Sequence, residues 1–325
     1  MRLGIAGCGR ISERGYIPAA LAADGVTIVG FTDPDAGRRR GCAELWARES
    51  DGQVPVFASA AALLAAEPID LLVIAAPATH HLALAEEAAT AGVRSLVEKP
   101  PAPNLAEAEQ LAALDPQPFL AFNRRFLQGP ELRDAIPAED WLELDLELRF
   151  QRDAWAAHQA KDEALLDAGI HLIDLACHLT SSAPIAVRRA EVEPDRAALE
   201  LELTRARARI SCATDRSHRE AVAVRDRAGR QLAHWTWGGL ASRLSSLIGR
   251  PDPLVLSLQR QLETIRAMGV SPMEPPQSVL QRGHPHRPLA TAADGIAAMA
   301  TVEAARRSAE LNGTEVTVAP QGARA

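Results

Sequence analysis

The chain has 325 residues, 47% of them hydrophobic, so it can bury the cores of two domains and lacks the composition of a disordered protein. A net charge of -7 argues against nucleic acid or an anionic membrane as the main partner. No apolar run approaches the roughly 20 residues of a membrane span. Because the four cysteines are widely spaced and the first residues lack a signal-peptide pattern, we expect reduced thiols and a cytoplasmic location.

The first 120 residues alternate between strand-like and helix-like segments. The apolar runs RLGIAG, VTIVGFTD, IDLLVIAAP and VRSLVEKP predict strands, and the segments between them predict helices. This alternation predicts a doubly wound α/β domain, in which crossover helices cover a parallel sheet. We place this domain at residues 1–122.

The pattern changes in the remainder of the chain. WLELDLELRF alternates strictly between apolar and charged residues, which is typical of an antiparallel strand with one wet face. ALELELTRARARISC predicts a hairpin in which Glu202 lies opposite Arg207 and Glu200 opposite Arg209. EAVAVRDRAGRQLAHWTW predicts another hairpin. We therefore predict a second α/β domain at residues 123–325, with a large, open, mostly antiparallel sheet.

A glycine-rich turn follows the first predicted strand. Gly7 and Gly9 supply the first two glycines of a dinucleotide-binding turn, where a side chain would obstruct a pyrophosphate, but Ser12 holds the third position. Asp33 ends the second strand, where a carboxylate can accept hydrogen bonds from an adenosine ribose. The alternative for Asp33 is a turn or capping residue before Pro34. The order of strand, glycines, helix and acid favours dinucleotide binding.

Polar residues follow two later strands of the same predicted sheet. Pro77 and His81 come after one strand, and Glu98-Lys99-Pro100 follow the next. Ligands of an open parallel sheet lie beyond the carboxyl ends of its strands. Lys99 is therefore expected to point its ammonium into the crevice where a nicotinamide can lie. A surface lysine after a strand is the simpler alternative.

The segment LLDAGIHLIDLACHL carries a polar stripe on an apolar helix. Asp167, His171, Asp174 and His178 are spaced 4, 3 and 4 residues apart, which places them on one helical face. The stripe has three interpretations: a solvated face, a metal site, or an acid–base pair in which Asp167 orients and charges His171.

Taken together, these motifs resemble the Gfo/Idh/MocA family of nicotinamide-dependent oxidoreductases along nearly the whole chain. The specific part of the signal is E-K-P followed, at this separation, by D-x-G-x-H. The matching positions are Gly7 and Gly9, Asp33, Pro77 with His81, Glu98-Lys99-Pro100, Asn123-Arg124-Arg125-Phe126, and Asp167-Ala168-Gly169-Ile170-His171 with Asp174. The chain departs from the family pattern at Ser12, and KDEALLDAG replaces the usual Gly-Gly run before the aspartate.

The resemblance implies a Rossmann domain followed by an α/β domain with an open antiparallel sheet. It also implies an enzyme that interconverts a secondary alcohol and a ketone on a sugar, cyclitol or related small polar molecule by hydride transfer. The implied catalytic residues are Lys99, Asp167 and His171. The predicted cofactor contacts are Gly7, Gly9, Arg10, Ile11, Asp33, Pro77, His81, Glu98 and Lys99. The predicted substrate contacts are Arg124, Trp155 and Asp174, and we expect no metal.

We expect NAD rather than NADP, because the Asp33 carboxylate would repel a 2′-phosphate, although Arg38, Arg39 and Arg40 follow it closely. Relatives often associate through the open sheet, so we expect a homo-oligomer, a dimer or a tetramer. The main alternative is a non-catalytic dinucleotide-binding regulator on the same fold. The presence of both Lys99 and His171 argues against that alternative, since a regulator needs neither.

Overall fold

Two compact units make up the chain, and each combines separate stretches of sequence. The computed structural model describes residues 1–50, 52–127, 136, 141–152, 162–238, 252–269 and 289–318. One unit comprises Met1–Phe126 with Pro253–Ala293, and the other comprises Leu127–Asp252 with Asp294–Ala325. The predicted domains, 1–122 and 123–325, stay a prediction. The structure adds that Pro253–Ala293 belongs with the first unit.

The first unit contains a parallel sheet with one antiparallel edge strand. Its parallel strands are β1 Arg2–Ala6, β2 Thr27–Thr32, β3 Val56–Phe57, β4 Leu71–Ile74, β5 Arg94–Val97 and β6 Phe119–Leu120. They lie in the order β3-β2-β1-β4-β5-β6, and Ala290–Thr291 pairs antiparallel with β6. The strand order reverses at β1, as in doubly wound folds, so the predicted fold class is confirmed for this unit.

Helices connect these strands. They are α1 Ile17–Ala22, α2 Ala36–Ser50, α3 Ala60–Ala66, α4 His81–Thr90, α5 Leu105–Ala112 and α6 Arg124–Leu127. Local capping explains where some begin: the side chain of Asn104 accepts a hydrogen bond from the Glu107 amide at the start of α5. Before α1, Ser12–Tyr16 forms a π-helical turn. Pro18 follows this turn and has no N–H to continue the α-helical ladder.

Another helix of the first unit comes from much later in the sequence. Pro253–Met268 buries Leu258, Leu262 and Ile265 in the same hydrophobic core as Tyr16 and Ile17. The side chain of Gln261, fully buried, donates a hydrogen bond to the carbonyl of Leu120 in β6. These contacts are why the described part of this segment packs with the first unit.

The second unit contains a seven-stranded sheet. Its strands are β7 Leu142–Gln151, β8 Pro184–Glu193, β9 Arg196–Leu203, β10 Ala206–Ala213, β11 Asp215–Asp226, β12 Gln231–Gly238 and Val316–Thr317. All neighbouring pairs are antiparallel except β7 with β10. The predicted open, mostly antiparallel sheet is therefore confirmed. The helical elements among the described residues of this unit are the π-turn Leu165–Gly169, α7 Ile170–Thr180 and most of the long helix Ala292–Glu310.

The predicted hairpin register is also observed, but Arg209 forms its ion pair with a residue of another strand. Arg207 lies opposite Glu202 and Arg209 opposite Glu200, as alternation required. Arg209, however, forms its ion pair with Asp145 on β7, with 2.6 Å between Nε and Oδ1. Strand β7 borders β10 on its other edge, which the local sequence did not reveal.

The polar face of this sheet carries paired charges. Asp145 also pairs with Arg225, and Glu147 pairs with Arg219. Burial acts to raise the pKa of Asp145, but its two arginine partners outweigh burial and hold that pKa below its usual range. The opposite face is apolar, with Leu142, Leu144, Leu146 and Leu148 buried. Within the described residues, no helix has the length and apolar character needed to cross a membrane.

Candidate functional site

The glycine turn after β1 is fixed by the strands on both sides of it. Gly7 has a φ of +101°, and a Cβ there would lie 2.4 Å from the carbonyl oxygen of Ala75, which follows β4. Its N–H donates to the Thr32 carbonyl at the end of β2, at 2.8 Å. The Ser12 hydroxyl donates to the Gly7 carbonyl at 2.6 Å. Ser12, the departure from the glycine pattern, therefore closes the turn itself.

Gly9 lies in a different environment from Gly7. A Cβ at Gly9 would meet no protein atom within 4 Å. Packing within the described protein therefore does not require a glycine here. A pyrophosphate that approaches the backbone does require one, and the amides that begin the following helix would face it. The space above Gly9 is therefore open to a ligand, and dinucleotide binding there stays a prediction.

Asp33 has the turn role that the sequence left open, and its role in binding an adenosine ribose stays a prediction. Its carboxylate is buried and accepts hydrogen bonds from the amides of Cys8, at 2.9 Å, and Asp35, at 2.8 Å. It therefore braces the glycine turn and shapes its own loop. Each carboxylate oxygen has a second lone pair, so ribose hydroxyls can still bind. The Asp35 carboxylate accepts hydrogen bonds from the backbone amides of Arg38 and Gly37 in the first turn of α2. These hydrogen bonds lower the pKa of Asp35.

The ring of His81, a predicted cofactor contact, lies between two backbone carbonyls. Its ring is 1% exposed, with Nε2 2.8 Å from the Ala76 carbonyl and Nδ1 3.2 Å from the Pro101 carbonyl. Burial lowers the pKa of His81, which favours a neutral ring that can donate to one of these carbonyls. The ring links the loops that follow β4 and β5. A direct contact between His81 and the cofactor stays a prediction.

The end of β5 holds a buried carboxylate beside the predicted catalytic lysine. Glu98 accepts a hydrogen bond from the Tyr16 hydroxyl at 2.8 Å and another from the Lys99 amide at 3.1 Å. Burial raises the pKa of Glu98, although Tyr16, Lys99 and Arg124 oppose that shift. The charged residue that directly follows β5 is thus accounted for, because the buried Glu98 carboxylate has defined partners. Tyr16 was not among the predicted site residues, and its one signal was being the only tyrosine in the chain.

In the second unit the polar stripe gains a partner that the sequence did not indicate. Asp167 lies in the π-turn before α7, and its Oδ2 is 3.1 Å from both Nε and Nη2 of Arg152. Arg152 follows β7 and is nearly buried, and its amide donates to the Thr214 carbonyl. His171 and Asp174 are buried on α7. An arginine directly after a strand of the sheet was the available signal, but this chain has many arginines.

Close packing holds the segment that carries Asp167 against the sheet. A Cβ on Gly169 would lie 2.8 Å from Leu165 Cδ1 and 3.2 Å from Cys212 Sγ, so glycine permits this approach. The Cys212 thiol donates to the Ala164 carbonyl at 3.4 Å, and burial raises the pKa of Cys212 to about 12. Glu163, just upstream, pairs with Arg306 of the long C-terminal helix. Residues 163–169 of this segment therefore form an anchored turn where the family pattern has glycines.

The predicted residues thus fall into two sets. Gly7, Asp33, Pro77, Glu98 and Lys99 follow the carboxyl ends of four parallel strands of the first unit. Asp167, His171 and Asp174 belong to one helical segment of the second unit.

The remaining predicted residues lie at the starts of helices in the first unit or outside the described residues. Arg10 and Ile11 lead from the glycine turn into the helix, and Arg10 is 3.7 Å from Glu13. Arg124 begins α6, and Trp155 lies outside the described residues.

Among the residues that are described, no group of three or more His, Cys, Asp or Glu side chains is arranged to hold a metal.

Comparison with known proteins supports the family resemblance for the first part of the chain. Residues 1–117 match the GFO_IDH_MocA family model, described as an oxidoreductase family with an NAD-binding Rossmann fold. For residues 1–117 this match confirms the resemblance inferred from the motifs and the prediction of a nicotinamide dinucleotide-binding domain.

Two curated relatives extend the likeness beyond that domain. The chain is 32% identical over 182 residues to a D-apiose dehydrogenase of Paraburkholderia graminis, covering 52% of this chain and 47% of the relative. It is 28% identical over 209 residues to an inositol 2-dehydrogenase of Leifsonia xyli subsp. xyli, covering 60% of each. The chain spans about half the length of the curated relatives it matches.

Solved structures share the fold over nearly the full chain. Myo-inositol dehydrogenase from Lactobacillus casei, in complex with NAD(H) and myo-inositol, has a TM-score of 0.75 at 17% identity, covering 100% of this chain and 98% of that one. Scyllo-inositol dehydrogenase from the same organism has a TM-score of 0.70 at 17% identity, covering 98% of each chain. At these identities the likeness establishes the fold.

The two glycines of the turn should respond differently to alanine. Gly7→Ala should destabilise the protein by more than about 2 kcal/mol, since it adds backbone strain and a clash with the Ala75 carbonyl. Gly9→Ala should change the free energy of unfolding by less than about 1 kcal/mol but weaken NAD binding by roughly tenfold or more. Denaturant unfolding and calorimetric NAD titration measure these effects. Unchanged NAD affinity in folded Gly9→Ala would exclude the pyrophosphate from this turn.

Proposed function

We propose that the protein is an NAD-dependent dehydrogenase or reductase that interconverts a secondary alcohol and a ketone on a sugar, cyclitol or related small polar molecule. The observation that carries this proposal is the arrangement at the strand ends of the first unit. A glycine turn with open space above Gly9 follows β1, and Lys99 follows β5 beside buried Glu98. The names of the curated relatives, a D-apiose dehydrogenase and an inositol 2-dehydrogenase, support the class of substrate.

The chemistry requires an acceptor for the hydroxyl proton and stabilisation of the oxygen from which it leaves. In our proposal His171 accepts the proton during oxidation and returns it during reduction. Lys99 donates a hydrogen bond to the same substrate oxygen and stabilises its developing negative charge. Asp167, held by Arg152 at 3.1 Å, orients the His171 ring. A bound nicotinamide supplies the hydride acceptor or donor. Asp174 and Arg124 are proposed substrate contacts.

Turnover of the native protein and of matched variants tests this assignment. NADH formation is measured with a panel of sugars and cyclitols. His171→Ala should lower kcat by about 10²–10⁴-fold, the usual contribution of a general base, while NAD affinity stays near the native value. Lys99→Met should lower kcat by a similar order, because oxyanion stabilisation is lost.

His178→Ala is the matched control, because it removes another imidazole from the same helix α7. It should retain near-native turnover. Native-like turnover of His171→Ala with normal NAD binding would show that His171 is not the base. If the native protein binds NAD but oxidises no substrate and reduces no ketone of the panel, the non-catalytic regulator becomes the better hypothesis.

We further propose that NAD is preferred over NADP. The Asp33 carboxylate is held in place by two amides and would repel a 2′-phosphate. Two of the nearby arginines already bind carbonyls: Arg39 those of Asp33 and Pro34, and Arg40 that of Ala36. Calorimetric titration of both cofactors should give tighter binding of NAD. Asp33→Ser should reduce the difference in affinity between NAD and NADP. Tighter binding of NADP than of NAD to the native protein would refute the preference.

We propose that the polar face of the second sheet is the contact surface of a homo-oligomer, a dimer or a tetramer. The support is its groove of about 620 Å³, lined by both signs of charge, including Asp145, Glu147, Arg209 and Arg219. Pairs of this kind on two copies could exchange partners, so association should weaken with salt. Light scattering at low and high salt should give a mass that falls as salt rises. A salt-indifferent oligomer would contradict this proposal.

We assign the protein to the cytoplasm. The described cysteines are all free, and Cys8, Cys42 and Cys212 are buried. A hydrogen bond with Cys42 and burial raise the pKa of the Cys8 thiol, which favours its protonated, unreactive form. Free thiols of this kind suit a reducing compartment.

A further inference from the structure

A chain of hydrogen bonds runs from the turn after Gly9 to the backbone of Lys99. Tyr16 ends the π-helical turn Ser12–Tyr16 and is 0% exposed. Its hydroxyl donates to Oε1 of Glu98 at 2.8 Å. The amide of Lys99 donates to Oε2 of the same carboxylate at 3.1 Å. Both carboxylate oxygens of Glu98 therefore accept a hydrogen bond, one from the Tyr16 hydroxyl and one from the Lys99 amide.

Core packing alone does not explain the tyrosine hydroxyl. A phenylalanine would fill almost the same volume in this core and would bring no polar atom that needs a partner. The hydroxyl has a use only because a buried carboxylate lies beside it. Glu98 is likewise costly to bury unless its oxygens accept hydrogen bonds. Each of these two buried polar groups thus supplies the hydrogen-bond partner that the other requires. Apolar residues at both positions would also allow a strand to end here.

We propose that Tyr16 is a positioning residue for Lys99, acting through Glu98. The pair fixes the backbone at Lys99 and keeps a carboxylate beside its ammonium. The Tyr16–Glu98 hydrogen bond also links the helix that begins at the glycine turn to Lys99. The same helix would then contribute both to the cofactor site and to the placement of the catalytic lysine. This role rests on the proposed function, in which Lys99 binds the reacting oxygen.

Removal of the hydroxyl has a defined electrostatic consequence. The groups that act on the Glu98 carboxylate are Tyr16, Lys99 and Arg124, and all three favour its ionised form against the effect of burial. Tyr16→Phe removes one of these contributions, so the pKa of Glu98 should rise further. Glu98 would then be protonated at a higher pH, and the negative charge next to Lys99 would be lost there.

Selective labelling tests the coupling without any assay of activity. The chain has only two lysines, Lys99 and Lys161, so ¹⁵N-lysine labelling gives a spectrum of two amides, and Lys161→Arg assigns them. In the NAD-saturated protein, the Lys99 amide shift should follow the titration of Glu98. Tyr16→Phe should move the midpoint to higher pH, and Glu98→Gln should abolish the transition. The same midpoint in the native protein and in Tyr16→Phe would overturn the proposal.

Kinetics then separates positioning from a merely structural role. Tyr16→Phe should lower kcat by about ten- to a hundredfold, the loss expected from one hydrogen bond to a charged group, and move the acid limb of the kcat profile to higher pH. In a Glu98→Gln background it should have no further effect. Thr301→Val is the matched control, because it also removes a buried hydroxyl, one that donates to the Ala297 carbonyl. It should leave the profile unchanged.

The two proposals can fail separately. If no substrate of the panel is turned over, the proposed function fails while the Lys99 amide titration still decides the role of Tyr16. If turnover is found and depends on Lys99, but Tyr16→Phe leaves both the amide midpoint and the acid limb unchanged, the positioning role alone is refuted.

Discussion

The left-handed backbone at Gly7 is the constraint on which the first unit depends. Only a residue without a Cβ can lie against the Ala75 carbonyl while its amide reaches the Thr32 carbonyl. This turn ties together the ends of β1, β2 and β4 and fixes where the next helix begins. That helix carries Tyr16, which holds Glu98 and, through it, the Lys99 backbone. In our proposal the position of the lysine therefore depends on a glycine far earlier in the chain.

Buried polar groups around this turn serve as rigid connections rather than as exposed contacts. Asp33 and Glu98 each accept two hydrogen bonds from separate residues, and the His81 ring lies between two backbone carbonyls. A buried polar network that is fully satisfied specifies one arrangement of its surroundings. The ion pairs on the polar face of the second sheet are more exposed, so each adds little to stability. The buried polar groups therefore fix the geometry around the glycine turn, whereas the exposed ion pairs mainly determine the charge pattern of the sheet surface.

The parts that could be predicted from sequence are those encoded by local periodicity. Alternation along β9 and β10 gave the hairpin register to the residue, and apolar runs followed by Gly7, Asp33 and Lys99 gave the strand ends of the parallel sheet. A period of two or of 3.6 determines which face is buried, and this needs no knowledge of distant residues.

The missed features depend on residues far apart in sequence. The ion pair of Arg152 with Asp167 and the hydrogen bond of Tyr16 with Glu98 join separate elements, and no local pattern marks either one. The packing of Pro253–Met268 with the first unit is non-local in the same way. The π-helical turn Ser12–Tyr16 has no local signature either, since a proline such as Pro18 predicts a disturbed helix but not the form that the helix takes.

We propose that a nicotinamide dinucleotide binds over the glycine turn and that this turn is coupled to Lys99. Amide hydrogen exchange of the full chain, with and without saturating NAD, tests this most directly. We predict slower exchange in peptides that cover residues 7–16 and 94–99, with no change in residues 196–213 of the second sheet. Saturating NAD that leaves residues 7–16 unchanged, or protects only residues elsewhere in the chain, would contradict the account.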